Sequence, residues 1–235
     1  MHLRALLPLA LVLLVPISQA QLVTYRVSGA VSESETSDGG GAPLDPSPVE
    51  TEFSAGTPIE LTFSYDAGAP VAQTFGANEA LYDAPFAVTG RIGTRTFSAN
   101  ASLIDVVDNT GTFPGGAGDL LQFRIDPLFS RDFTTVTDAN IIEDNPFQNT
   151  ALRLDYFFVQ FARTGGGAFA GTGLPPSIDL ATYDSNLFFF DYFDGANTET
   201  TVLGSVASVT PVPEPATLAA LGLGAAALLR RRRKA

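Results

Sequence analysis

Along the middle of the chain, apolar side chains recur at every second position. That spacing sets one face of a β-strand against a core and the other against water. Residues 22–31 place Val23, Tyr25, Val27 and Val31 on one face, while Ile59, Leu61, Phe63 and Tyr65 alternate with Glu60, Thr62, Ser64 and Asp66. Leu121, Phe123 and Ile125 repeat the pattern, as do Leu152, Leu154, Tyr156 and Phe158, and weaker alternation covers residues 85–92, 94–107, 187–193 and 200–210. Turn formers separate these runs: Gly39, Gly40 and Gly41 after Asp38, Gly68 after Asp66, Pro114-Gly115-Gly116, Gly165-Gly166-Gly167 and Asp194-Gly195. Between the two ends no helix-length window repeats at 3.6 residues, and no period of about 20–50 residues marks a solenoid or propeller. About eight strands in roughly 190 residues predict an all-β domain over residues 21–211, a single antiparallel β-sandwich of jelly-roll-like or immunoglobulin-like kind. Residues 32–52, polar and rich in Ser, Glu, Gly and Pro, read as a long surface loop.

Both ends break this pattern. His2 and Arg4 precede an apolar run over residues 5–15, interrupted by Pro8; Pro16 then leads to Ser18-Gln19-Ala20. This three-part order predicts an N-terminal signal helix in residues 1–20, a peptide that signal peptidase cuts between Ala20 and Gln21. Its apolar run is about half the ~20 residues of a membrane span. At the other end residues 216–229 are apolar or small, and Arg230, Arg231, Arg232, Arg233 and Lys234 follow at once. As a transmembrane helix the apolar stretch is about 21 Å long against a hydrocarbon core of ~30 Å, so it spans where the bilayer thins and the flanking cations snorkel. The cations fix its orientation, with the acidic domain on the outer side of the inner membrane. Just before it, the two prolines of Val212-Pro213-Glu214-Pro215 suppress helix and leave an extended segment that a protease can read.

Val212, Pro213, Glu214 and Pro215, the short Leu/Gly/Ala-rich helix and the terminal Arg run resemble the PEP-CTERM sorting signal of Gram-negative bacteria. The three features stand in the required order at the extreme C-terminus of a chain that opens with a signal peptide. The resemblance covers about residues 211–235 only, and residues 212–235 form the sorting segment. It implies that a membrane-embedded, exosortase-like protease recognises the Pro-Glu-Pro segment and removes the tail. The domain, held only transiently at the inner membrane, then reaches the cell surface or the extracellular matrix. Proteins bearing this signal are associated with exopolysaccharide and biofilm, and the signal itself is silent on what the domain does.

Composition narrows that question. Residues 21–213 hold seven Arg against 24 acidic side chains, a formal charge of −17, and contain no Lys, His, Cys, Met or Trp. Thiol nucleophiles, a Ser-His-Asp relay, imidazole zinc sites, haem ligands and disulfides are therefore excluded from the domain. So acidic a surface does not suit nucleic acid as a partner.

Outside the cell, Ca²⁺ is the hard cation that oxygen-rich loops would take, although no cofactor is required by anything in the sequence. Three groups qualify: Asp105, Asp108 and Asn109; Asp138, Asn140, Glu143, Asp144 and Asn145; and Asp191, Asp194 and Asn197. None has EF-hand spacing, and acidic loops also serve simply to keep an exported domain soluble. Paired carboxylates are the one catalytic device that survives without His or Cys, and no acid sits in a recognisable hydrolase motif. The run Phe188-Phe189-Phe190-Asp191-Tyr192-Phe193 reads as a buried strand or, in the alternative, as a sugar-stacking face. Gly165-Gly166-Gly167-Ala168-Phe169-Ala170 has the letters of a dinucleotide-binding loop, but it leads into Gly171 and Pro175-Pro176 instead of a helix, so it reads as an inter-strand loop. The sequence thus predicts a non-enzymatic surface or matrix protein. The alternatives are a Ca²⁺-assisted, lectin-like carbohydrate-binding domain and a carboxylate-based glycoside hydrolase.

Overall fold

The computed structural model describes residues 22–38, 40–82, 87–100, 103–113, 116–125, 140–148 and 150–213. Among them lie twelve strands: β1 (Leu22–Asp38), β2 (Pro58–Asp66), β3 (Val71–Thr74), β4 (Glu79–Tyr82), β5 (Ala87–Ile92), β6 (Arg95–Asn100), β7 (Leu103–Phe113), β8 (Gly116–Ile125), β9 (Asn140–Glu143), β10 (Arg153–Thr164), β11 (Ser185–Phe193) and β12 (Thr198–Pro211). One short α-helix, α1 (Pro48–Glu52), and a 3₁₀ turn at Leu180–Thr182 join them. Every pairing is antiparallel, and hydrogen bonding runs unbroken through the order β3-β4-β7-β8-β10-β11-β12-β1-β2-β5-β6-β9.

This sheet curls onto itself. Phe63 on β2 and Phe123 on β8 are five strands apart in the order, which a flat sheet would hold about 24 Å apart. Their ring centroids are 4.6 Å apart. Likewise Phe97 on β6 meets Phe157 on β10 at 5.1 Å and Phe190 on β11 at 5.9 Å. The inward side chains of the two halves, Leu61, Phe63, Tyr65, Phe123, Phe157, Phe161 and Phe188 among them, form one continuous core. All-β antiparallel architecture is therefore present, but the two separate sheets of a jelly-roll-like or immunoglobulin-like sandwich are replaced by two facing halves of one sheet.

The reason lies in β1 and β12, which are long enough to belong to both halves and which bend without breaking. Their ladder slips register between Ser28 and Gly29 and again between Val31 and Glu33. A β-bulge of this kind bends the strand and sharpens its twist. Glycine makes the close approach feasible: a Cβ on Gly29 would stand 1.8 Å from the Ser205 carbonyl oxygen, and one on Gly204 would stand 2.4 Å from the Ile59 side chain.

Two local expectations change. Residues 32–52 are not one loop, because β1 continues to Asp38 and α1 closes the segment. Polar lettering hides this: Thr36 is buried and its hydroxyl, with those of Ser47 and Thr200, forms a chain of hydrogen bonds at 3.2 and 2.8 Å. Ser47 also caps α1 by accepting the Glu50 N–H, with Pro48 at the first helical position, and Val49 and Phe53 are buried. The second change is in β10, where a register shift at Asp155 breaks the alternation that begins at Leu152 and Leu154. Beyond it Phe157, Val159 and Phe161 face the core, leaving Tyr156 and Phe158 on the outer face. The short strands β3, β4 and β9 were not anticipated, since four residues carry too little alternation to stand out. The signal helix over residues 1–20 and the membrane helix over 216–229 lie outside the described residues.

Adding one methyl group at the bend tests this account of the curl. Gly29→Ala has no room beside the Ser205 carbonyl, so the domain is expected to lose at least about 3 kcal/mol of stability in urea unfolding, the upper range of overpacking costs. An unchanged unfolding midpoint would contradict it.

Candidate functional site

The sorting segment leaves the domain directly from a sheet strand. The β1–β12 ladder pairs Tyr25 with Pro211, and beyond it the Val212 N–H donates to the Thr24 carbonyl at 2.8 Å. Tyr25 secures this end of the ladder: its ring is buried and its hydroxyl accepts the Ile178 N–H at 3.2 Å. No linker separates the last strand from Pro213. The two ends of the described chain, Leu22 and Pro213, therefore emerge side by side. Ala20, Gln21, Glu214, Pro215 and the cations Arg230, Arg231, Arg232, Arg233 and Lys234 lie outside the described residues.

The acidic groups are dispersed by the fold and largely engaged. Asp138 lies outside the described residues. Asn140 opens β9 opposite Asn100, and Glu143 closes it opposite Phe97. The half-buried Glu143 carboxylate accepts the Leu154 N–H at 3.1 Å; burial pushes its pKa up, against that hydrogen bond and the nearby Arg153 and Arg95. Asp144 accepts the Thr96 hydroxyl at 2.8 Å and Asn145 accepts the Thr96 N–H at 3.1 Å, so this group fastens the end of β9 to β6.

In the turn after β11, one oxygen of Asp194 accepts the N–H groups of Ala196, Asn197 and Thr198 at 2.8, 3.0 and 3.0 Å. Those N–H donors, Thr198 and Ala196 foremost, pull its pKa down. Asn197 belongs to the turn that Asp194 caps, whereas Asp191 sits on the outer face of β11. Among the described residues no three Asp, Glu, His or Cys side chains are grouped so as to share a metal ion.

A different association was invisible in the sequence. Asp191 on β11 lies among Glu199 on β12 and Asp155 at the β10 bulge. Burial, then the charges of Glu199 and Asp155, push its pKa up to about 7. Asp105, buried on the outer face of β7, is pushed up to about 6 by burial and by Glu79, against Arg124. Only the outward positions of neighbouring strands could have disclosed these pairs.

Beside Asp191, the outward rings of Phe158 and Phe189 lie parallel, within 4° and 4.8 Å apart, with Tyr156 tilted against both. The two phenyl rings face each other across the strands. The glycine-rich loop has a structural cause as well. Asp119 is fully buried, and its carboxylate gathers the N–H groups of Asn109, Ala168 and Phe169. Gly165, Gly166 and Gly167 all take positive φ to bring the chain there, and a Cβ at Gly166 would collide with the Asn109 side chain. At the opposite end of the β1–β12 ladder from the chain exit, Thr36, Asp45, Ser47, Thr150, Asp194 and Thr198 help line an open cleft of about 420 Å³.

Residues 211–234 match the family model of the PEP-CTERM protein-sorting motif. The chain carries this sorting motif. Its first residue, Pro211, is the last residue of β12, so the motif begins where the sheet ends. The motif implies export, processing by an exosortase at the membrane and delivery toward the cell surface. No curated protein and no solved structure matches the chain. Among the described residues no helix is long and apolar enough to cross a membrane.

The carboxyl groups on the outer face give the domain a definite pH response. An acid whose pKa is raised by folding binds its proton more tightly in the folded state, so its contribution to stability is greatest below the unfolded pKa and is lost as pH rises through the folded value. For Asp191 that interval runs from 3.8 to about 7, and for Asp105 from 3.8 to about 6. The melting temperature is therefore expected to rise as pH is lowered from about 8 to about 5, and Asp191→Asn should flatten the part of that slope nearest neutrality. A melting temperature that falls over this interval would contradict the assignment.

Proposed function

We propose that the chain is an exported precursor. Signal peptidase removes residues 1–20, residues 216–229 hold the domain briefly in the inner membrane of a Gram-negative cell, and an exosortase removes the tail. The product is a non-enzymatic component of the exopolysaccharide or biofilm matrix at the cell surface. The single observation that carries this reading is the sorting motif over residues 211–234, set directly against the last strand of a folded domain. Further support comes from the N-terminal pattern, whose cleavage point at Ala20 and Gln21 adjoins the start of β1. Both processed ends leave together, so the far end of the roll, with its open cleft, is turned away from the membrane.

No acid sits in a recognisable hydrolase motif. The facing rings of Phe158 and Phe189 likewise do not favour a flat sugar-stacking platform.

Cell fractionation tests the reading. In a host that supplies an exosortase, the unaltered chain is expected in the medium or matrix, with an intact mass that lacks both the signal peptide and the basic tail. Replacing Pro213, Glu214 and Pro215 by Ala should leave the tailed form in the membrane fraction. Tail loss at the same rate in that variant would overturn the assignment.

A further inference from the structure

Where the motif begins, the sheet has an unused edge. β11 pairs with β12 only as far as Leu187 opposite Ser205, whereas β1 follows β12 to Pro211. The divergence comes at the bulge, where Ser28 pairs with Ser208 and Gly29 with Val206, so that Ala207 is the extra residue and β12 bends away from β11. From Val206 to Pro211 the strand is paired on one side only among the described residues. Counting back from the Val212 N–H on Thr24, strand alternation points Thr210 and Ser208 at β1, leaving the N–H and C=O of Val209 and the C=O of Pro211 on the open side. Ala207, Ser208, Thr210, Pro211 and Val212 are exposed.

Two properties set this edge apart from an ordinary one. Sheet edges are normally blunted by charge, yet no ionisable side chain stands between Glu199 and Glu214. The sorting motif is also a poor backbone partner. Pro211, Pro213 and Pro215 have no N–H, and the Val212 N–H is already bonded to Thr24, so residues 211–215 keep only the Glu214 N–H to offer. Proteases that hold a substrate as an extended strand need main-chain donors and acceptors, and the nearest available set is the open edge of β12, within about 15 Å of Pro213 at ~3.3 Å per residue.

We propose that the open edge of β12, residues 206–211, is the docking strand for the membrane protease that removes the tail, which adds an extended strand of its own beside Val209 and so delivers the proline-rich segment to its active site. The proposal rests on the reading of residues 211–234 as a processed sorting motif.

Tail removal from the full chain, followed by pulse-chase in a host with the exosortase, tests it. Val209→Pro removes the N–H on the open side without taking one from the β1 ladder, and it is expected to slow tail removal about three- to tenfold or more, the worth of one main-chain hydrogen bond. An insertion of about six Gly and Ser residues between Val212 and Pro213 leaves the strand and the motif intact but separates them, and it too should slow removal. This second variant keeps the test independent of any folding defect caused by proline. If both variants are processed at the unaltered rate, or the insertion is processed faster, the protease reads the motif alone and the proposal is overturned. It is also overturned if Val209→Pro leaves processing unchanged while converting a dimer of the processed protein to a monomer, since the edge then serves a second copy of the chain. If the unaltered chain keeps its tail, the sorting assignment itself fails, and that outcome is distinct from either variant's behaviour.

Discussion

Everything in this molecule hangs on the ladder between the first strand and the last. Among the described residues β1 and β12 stand between the two halves of the curled sheet, and their bend at Gly29 and Gly204 brings Phe63 over Phe123 and Phe97 over Phe157. Because the partners are the two ends of the described domain, closing the ladder requires the chain to have been made through Pro211. Such long-range pairing pays the full loop-closure entropy before any core contact repays it. With no Cys in the chain, disulfides offer no help, and aromatic burial must supply the compensating energy. The same ladder fixes where the sorting motif sits: its first two residues, Pro211 and Val212, still lie against β1, and Pro213 follows the last hydrogen bond between them.

Charge plays a secondary and mostly structural part. The acids that cluster in the sequence are drawn into turns and strand ends, where Asp194 and Asp144 accept neighbouring donors, and Arg95 makes a two-pronged pair with Glu52 at 2.7 and 2.8 Å while lying 4.2 Å over the Phe147 ring. Asp191 and Glu199 come from different strands and meet on the outer face. Protonation of Asp191, whose pKa burial and its acidic neighbours push up to about 7, links the stability of the domain to the pH around it.

The sequence was legible where structure is local. Ile59, Leu61, Phe63 and Tyr65 alternate in the letters as they do in the fold, and all four are buried. Val212, Pro213, Glu214 and Pro215 carry their meaning in linear order, so the sorting motif could be read without coordinates. Legibility failed where the outcome depends on a neighbour. Thr36 looks like a loop residue until Ser47 and Thr200 surround its hydroxyl. Tyr156 and Phe158 seem to continue the alternation of Leu152 and Leu154 until the bulge at Asp155 turns them outward. Continuity of hydrogen bonding through twelve strands, in place of two stacked sheets, depends on bulges and on two glycines among 22. The open edge of β12 is set by where β11 stops, which no property of β12 reveals.

Amide hydrogen exchange along residues 204–216 of the folded, unprocessed chain tests the central claim, that the sheet runs to the threshold of the sorting motif and is open on one side there. The account predicts slow exchange at Ser208, Thr210 and Val212, which face β1, and fast exchange at Val209. Uniformly fast exchange from residue 206 onward would mean that the strand ends earlier and the motif hangs on a free linker. Slow exchange at Val209 would mean that something already covers the edge.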